Sequence, residues 1–195
     1  MKKIFTTSAI VLFLLSGVNA KETDNNKSNI SIQEQIGNAK IIGGFGLNIG
    51  DTFDIKSATG SSKTTSGETL YTFSPTKKIK YFKHYHVLIT PRSHKIRQIW
   101  GIGSYKNKAS CERDLNVIEV MLEKKYGKFN QPSFSMDAVK YVSDSSNKDR
   151  DIIIKCSGFM NPISFYIMYK DSSLDTLSKN EEAEMEAEKM DSSAL

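Results

Sequence analysis

The sequence predicts an α+β fold: an antiparallel β-sheet of about five strands with one main α-helix packed on one face, a flexible N-terminal leader and an acidic C-terminal tail. Three observations carry this. Several runs alternate apolar and polar residues at the strand period of two. One run near residues 110–127 repeats apolar residues at helical spacing. Segments rich in Ser, Gly, Asn and Pro join the runs, and short connections favour antiparallel neighbours.

Residues 1–20 read as a signal peptide. Lys2 and Lys3 supply a positive start, Ile10 to Leu15 form an apolar run, and Val18-Asn19-Ala20 ends on a small residue suited to cleavage. That run is too short for a hydrocarbon core of roughly 30 Å. Leu15-Ser16-Gly17 begins like a lipoprotein box, but Val18 stands where the lipid-bearing cysteine is required. The expectation is a periplasmic or secreted bacterial protein with no stable membrane insertion. Residues 21–40 are polar and lack aromatics, as a mobile leader does. Residues 41–170 are expected to fold as one domain, and 171–195 form a tail that is helical or disordered.

Charge is unevenly spread. The chain carries 27 Lys and Arg against 22 Asp and Glu. Residues 171–195 hold eight acids against Lys179 and Lys189, a net charge of −6, which leaves residues 21–170 at +9. A basic body beside an acidic tail points to an anionic partner, or to a tail that folds back on its own body.

The first folded element is read in IIGGFGLNIGDTFD, residues 41–54. A phosphate loop needs Lys and Ser or Thr after its last glycine, whereas Asp51 follows Gly50. The dinucleotide fingerprint fails because Gly50 falls one place late after Gly44 and Gly46. Phe45, Leu47 and Ile49 instead alternate with Gly46, Asn48 and Gly50, predicting one strand with an apolar face. Residues 57–69 read as a loop. They lack the Ser-x-x-Lys spacing of an acyl-transfer nucleophile, since Gly60 stands three residues before Lys63.

KYFKHYHVLIT, residues 80–90, and KIRQIWGIGSY, residues 95–105, predict a β-hairpin around a Pro91 turn, with Ile96, Trp100 and Ile102 on one face. Its basic residues, interleaved with aromatics, mark a partner-binding surface assigned to Lys78, Lys83, Arg92, Lys95, Arg97 and Trp100. Such a surface invites nucleic acid in the cytoplasm. In an exported chain it predicts an envelope protein or an anionic surface component instead, with no nucleic acid.

Ser110 is the expected cap of the helix. Cys111, Leu115, Ile118 and Leu122 form its apolar stripe, and Gly127 ends it. Strands are expected at 138–143, 152–159 and 163–170. The acids in 144–151 lack the spacing of a calcium loop and read as a turn. Cys111 and Cys156 are the only cysteines, and in an exported chain they predict a disulfide.

Two function classes follow. The first is a non-catalytic binding or accessory protein of the envelope, without a cofactor, working through the basic-aromatic hairpin. The alternative is a zinc- or copper-binding or hydrolytic protein built on His84 and His86, which share a strand face at i and i+2, with His94 as a third ligand.

Overall fold

The computed structural model describes residues 37–133, 135, 137–158 and 161–190. The expected signal peptide and most of the leader lie outside the described residues. Nine strands and two α-helices occupy the described chain. They are β1 (Gly43–Gly44), β2 (Leu47–Asn48), β3 (Gly60–Lys63), β4 (Thr69–Thr72), β5 (His84–Ile89), β6 (Ile96–Tyr105), α1 (Lys108–Tyr126), β7 (Ala138–Ser143), β8 (Arg150–Ser157), β9 (Ile163–Asp171) and α2 (Ser172–Lys189). β1 and β2 form a small hairpin. The other seven strands make one antiparallel sheet in the order β3-β4-β5-β6-β9-β8-β7. The α+β class holds, with seven strands in the main sheet rather than about five, and with a second helix.

The pleat of this sheet separates two faces. Ile152, Ile154 and Cys156 pair across the ladder with Tyr169, Ile167 and Phe165, and all six are buried. β6 presents Ile99, Gly101 and Gly103 to the same face, opposite Tyr169, Ile167 and Phe165. Helix α1 covers the β8–β9 side of this face. Its stripe of Cys111, Leu115 and Ile118 is buried as its spacing requires, and the Cys111–Cys156 disulfide fastens its first turn to β8. Asn107, not Ser110, is the N-cap: its side-chain oxygen accepts from the Ser110 amide at 2.9 Å. Gly127, with φ 91°, ends the helix as expected, because only glycine takes that conformation without strain.

The opening stretch is a hairpin rather than one strand. Phe45 (φ 58°) and Gly46 (φ 92°) both adopt left-handed backbone, the pair a tight two-residue turn demands. The turn thrusts the Phe45 ring onto the core face, where it meets Phe82, Tyr85 and Tyr169 edge-on. A side chain at Gly101 would meet that ring at 2.7 Å, so the missing Cβ in β6 is what admits Phe45.

Residues 57–69 are not all loop. β3 pairs with β4 from Gly60↔Thr72 to Lys63↔Thr69. All four β3 residues are exposed, so no apolar period marks the strand; backbone pairing makes it, with the Lys63 ammonium donating to the Thr69 hydroxyl across the ladder at 2.8 Å. The expected sharing of one face by Ile96, Trp100 and Ile102 also fails. Leu88 pairs with Gln98 and Ile89 with Ile96, which leaves Arg97 as the extra residue of a β-bulge. The bulge moves Ile96 to the core face, while Trp100 and Ile102 stay on the other.

The 144–151 segment is a turn, as read. Asp144 is buried and its carboxylate accepts from the amides of Ile41, Ser146 and Asn147. Burial pushes this carboxyl up, but those hydrogen bonds and that of the Ser146 hydroxyl outweigh it and hold it below its ordinary value.

Candidate functional site

The basic hairpin divides into two electrostatic halves. At its tip the acidic tail folds back. Asp171 caps α2 by accepting from the Ser173 and Leu174 amides, and the helix then runs past the β5–β6 turn. Glu181 accepts from the Arg92 amide at 2.8 Å, the Ser93 amide at 3.1 Å and the Ser93 hydroxyl at 2.6 Å. Burial raises its carboxyl, but these bonds prevail and hold it below its ordinary value. The Arg92 guanidinium reaches Glu188 at 2.6 Å and Glu184 at 3.4 Å, both exposed pairs. Lys95 is half-buried, with its Nζ on the Gly50 carbonyl at 3.3 Å.

Arg97 corrects the expectation of a contact residue. It is 5% exposed, and its guanidinium is shared between Asp175, at 2.5 Å, and Glu68. A buried side chain clamped by two carboxylates is unavailable to a partner. Arg97 stands two residues before the buried Ile99, and Glu68 and Asp175 hold its guanidinium there.

The base of the hairpin is different. The segment before β5 is pinned by the Tyr85 hydroxyl, which accepts from the Ile79 amide at 2.9 Å. The Lys83 amide donates to the Ile102 carbonyl at 2.8 Å. Across from it, Tyr105 donates its hydroxyl to Asp114 of α1 at 2.9 Å. Between these anchors lie two adjoining hollows of about 440 and 490 Å³ that share Lys83, Ser104 and Tyr105. Lys80, Lys83, Lys106 and Arg113 ring this trough against one carboxylate, Asp114. That carboxylate is engaged by Tyr105 and, at 3.3 Å, by Arg113. Lys80 lies 4.9 Å above the Tyr81 ring, so cations and aromatic surface form one wall. The trough therefore carries net positive charge, open to solvent.

Of the expected partner-binding residues, only Lys83 lines this trough. Lys78 is exposed on the segment leading to it. Trp100 is half-buried on the sheet face away from the core, edge-on to Tyr166, with its indole N–H on Gln98. It belongs to a cross-sheet row in which Thr72, His86, Trp100, Met168, Ile153 and Tyr141 stand opposite one another in register. Lys80, Lys106 and Arg113 join Lys83 here without having been expected: Lys106 lies in the link from β6 to α1, and Arg113, on α1, reaches the trough only through the packing of that helix.

His84 and His86 do share a face, with ring centroids 6.4 Å apart and planes 19° from parallel. His86 meets the Thr72 hydroxyl at 3.1 Å. Burial, and then the nearby His84, lower its pKa and favour the neutral ring. His94 does not join them. It sits in the turn past Ile89, the far end of β5, which is itself five strand steps or about 17 Å from His84. Among the described residues no three His, Cys, Asp or Glu side chains are grouped to hold a metal ion.

No family model, curated protein or solved structure matches the chain. Among the described residues no helix is long and apolar enough to cross a membrane.

Proposed function

We propose that the chain is an exported, non-catalytic binding or accessory protein of the bacterial envelope, and that it takes a phosphate-bearing surface component in the trough between Lys83 and Arg113. The observation that carries this reading is the division of charge along the hairpin. At the tip, α2 already supplies carboxylates to Arg92 and Arg97. At the base, four cations share one carboxylate, which Arg113 already engages, so an incoming anion meets Lys80, Lys83 and Lys106 with no ion pair to displace among the described residues. Tyr81 and Tyr105 add apolar surface on which a sugar or glycerol moiety rests. The disulfide supports an oxidising compartment.

The test is sedimentation of the full chain with phosphatidylcholine vesicles, with and without phosphatidylglycerol, beside retention on a phosphorylated polysaccharide. Binding to either anionic matrix, weakened by raising salt from about 50 to about 300 mM, which shortens the Debye length roughly twofold, and lost in Lys83→Glu/Lys106→Glu, is the expected result. Equal binding by the variant, or binding only to an uncharged surface, overturns the reading. Crosslinking in envelope extract with mass spectrometry separates a protein partner from both.

The metal reading keeps one supporting observation, the near-parallel His84 and His86 rings, of which burial favours the neutral form of His86. Zinc or copper uptake by the chain that disappears in His84→Ala/His86→Ala would favour it over the trough.

A further inference from the structure

Helix α1 carries a second stripe, on the side away from the core. Arg113, Val117, Val120, Met121 and Lys124 recur at i, i+4, i+7, i+8 and i+11, so they lie along one line of the helix. All five are exposed, with Val117, Val120 and Met121 at 41%, 53% and 58%. Core packing gives no account of three large apolar side chains held in water at helical spacing. An apolar stripe bounded by bases is the pattern of a helix that lies along a membrane surface. The acids of α1 do not offset it. All four are half-buried and engaged: Glu112 by Lys108, Asp114 by Tyr105 and Arg113, Glu119 by Lys140, and Glu123 by the Phe129 amide. The exposed residues of α1 include Lys124 and Lys125 and no acid. Arg113 also lines the trough, beside Lys80, Lys83 and Tyr105, so stripe and trough form one continuous surface.

We infer that this surface docks on an anionic phospholipid bilayer, with Val117, Val120 and Met121 at headgroup level and the trough over a lipid phosphate. The inference rests on the reading of the trough as a phosphate seat, and names the component that bears the phosphate as a membrane. Charge and extent select it. Arg113 and Lys124 stand about 17 Å apart along the helix axis, a length that one bound phosphate does not span, whereas a plane of anionic headgroups meets every cation at once. Three apolar side chains are too few for the core of a stable protein interface, which takes about 800 Å² on each partner, but a fluid bilayer accepts shallow contact of any outline. A second copy is disfavoured by charge. Packing α1 on its own copy, in either direction, sets a basic end against a basic end: Lys124 and Lys125 face their like, or face Lys80, Lys83 and Lys106. The acids of α2 lie at the other end of the hairpin with Arg92, so an anionic surface attracts the base and repels the tip, which orients the chain. The contact is peripheral, because the stripe of Cys111, Leu115 and Ile118 stays in the core.

The test is flotation of the full chain with phosphatidylcholine vesicles, with and without phosphatidylglycerol, beside retention on the phosphorylated polysaccharide. The chain is expected to float only with phosphatidylglycerol present. Val117→Ser/Val120→Ser/Met121→Ser should weaken flotation about tenfold or more, and leave retention on the polysaccharide as it is. Lys124→Gln, outside the trough, should weaken flotation about fivefold. Both native cysteines are held in the disulfide, so Val120→Cys introduces a single free thiol for a polarity-sensitive dye. Its emission should shift to the blue on phosphatidylglycerol vesicles, and that of a Glu182→Cys control on α2 should not. Retention on the polysaccharide without flotation overturns the membrane inference and leaves the trough reading standing; binding to neither overturns both. Flotation of the serine variant equal to the parent's overturns the inference, as does a parent dimer that this variant makes monomeric, which would give the stripe to a second copy. An unshifted label at position 120 on bound vesicles overturns it whether or not the serine variant folds.

Discussion

Arg97 and Asp175 meet at 2.5 Å, and through them a bulge in β6 is tied to the first turn of α2. Asp175 also accepts from the Gln98 amide group at 3.2 Å, and Glu68 closes on Arg97 from the β3–β4 hairpin. One buried guanidinium thus joins three elements far apart in sequence. Its removal strands two carboxylates, one on each side.

Asp175→Ala is therefore expected to destabilise more than an exposed ion pair would. Breaking a buried charge pair on one side costs about 3–5 kcal/mol, against about 0–1 kcal/mol at the surface. The retained Glu68 partner sets the expected loss toward the lower end of that range. Urea unfolding of Asp175→Ala beside Arg92→Ala, which breaks only exposed pairs, measures the difference; equal midpoints would contradict the role given to Arg97.

Glu181→Ala removes the acceptor that serves two backbone amides and one hydroxyl of the hairpin tip. The expected cost is about 1–3 kcal/mol, from donors left unpaired. Amide hydrogen exchange should speed at Arg92 and Ser93 and along α2, while the α1 amides stay protected. Uniform acceleration across the chain would mean that the tail is part of the global unfolding unit.

Stability should fall in acid. Asp144, Asp171 and Glu181 all sit below their ordinary values, and hydrogen bonds to their charged forms outweigh the burial that opposes ionisation. A carboxyl whose folded pKa is depressed adds stability above its unfolded pKa. That stability is lost as pH falls through the folded value. The decline should begin near the ordinary values of 3.8 for Asp and 4.5 for Glu and continue below them. Thermal midpoints from pH 7 down to pH 2 test this, and Glu181→Gln should flatten part of the slope.

Gly101→Val places a branched side chain where the Phe45 ring stands at 2.7 Å from the Cβ position. Overpacking of this kind costs about 1–3 kcal/mol. Adding Phe45→Ala should restore some of the loss, because the clash partner is gone. A double variant no better than the sum of the single ones would show that the two residues do not compete for one space.

Reduction of the Cys111–Cys156 disulfide, or its replacement by serines, should lower stability by about 4 kcal/mol on the chain-entropy account for a 45-residue separation. Denaturant midpoints with and without reductant read this directly. An unchanged midpoint would place the hold of α1 on β8 in apolar packing alone.

What was legible in the sequence were the elements whose own side chains are buried at a regular period. Cys111, Leu115 and Ile118 announce α1, and β7, β8 and β9 appear almost within their expected bounds. Apolar burial imposes a pattern on neighbouring residues, and a pattern can be read locally. The cysteine pair was legible for a different reason: the chain has two cysteines, so each sulfur has one candidate partner. Polar and geometric decisions left no such trace. β3 is held by backbone pairing with no apolar residue to mark it, and the β1–β2 turn disguises a hairpin as one alternating strand. The docking of α2 rests on carboxylates that meet their partners across separations of 77 to 96 residues. The carboxylates of α2 decided the candidate sites most. They hold a buried Arg97 that composition alone assigns to the surface and pair Arg92 at the tip of the hairpin, so the base is left as the open positive end. Local sequence determined which segments could bury apolar surface; only the assembled sheet determined which charges found partners, because pairing depends on distances that the chain reaches after it folds.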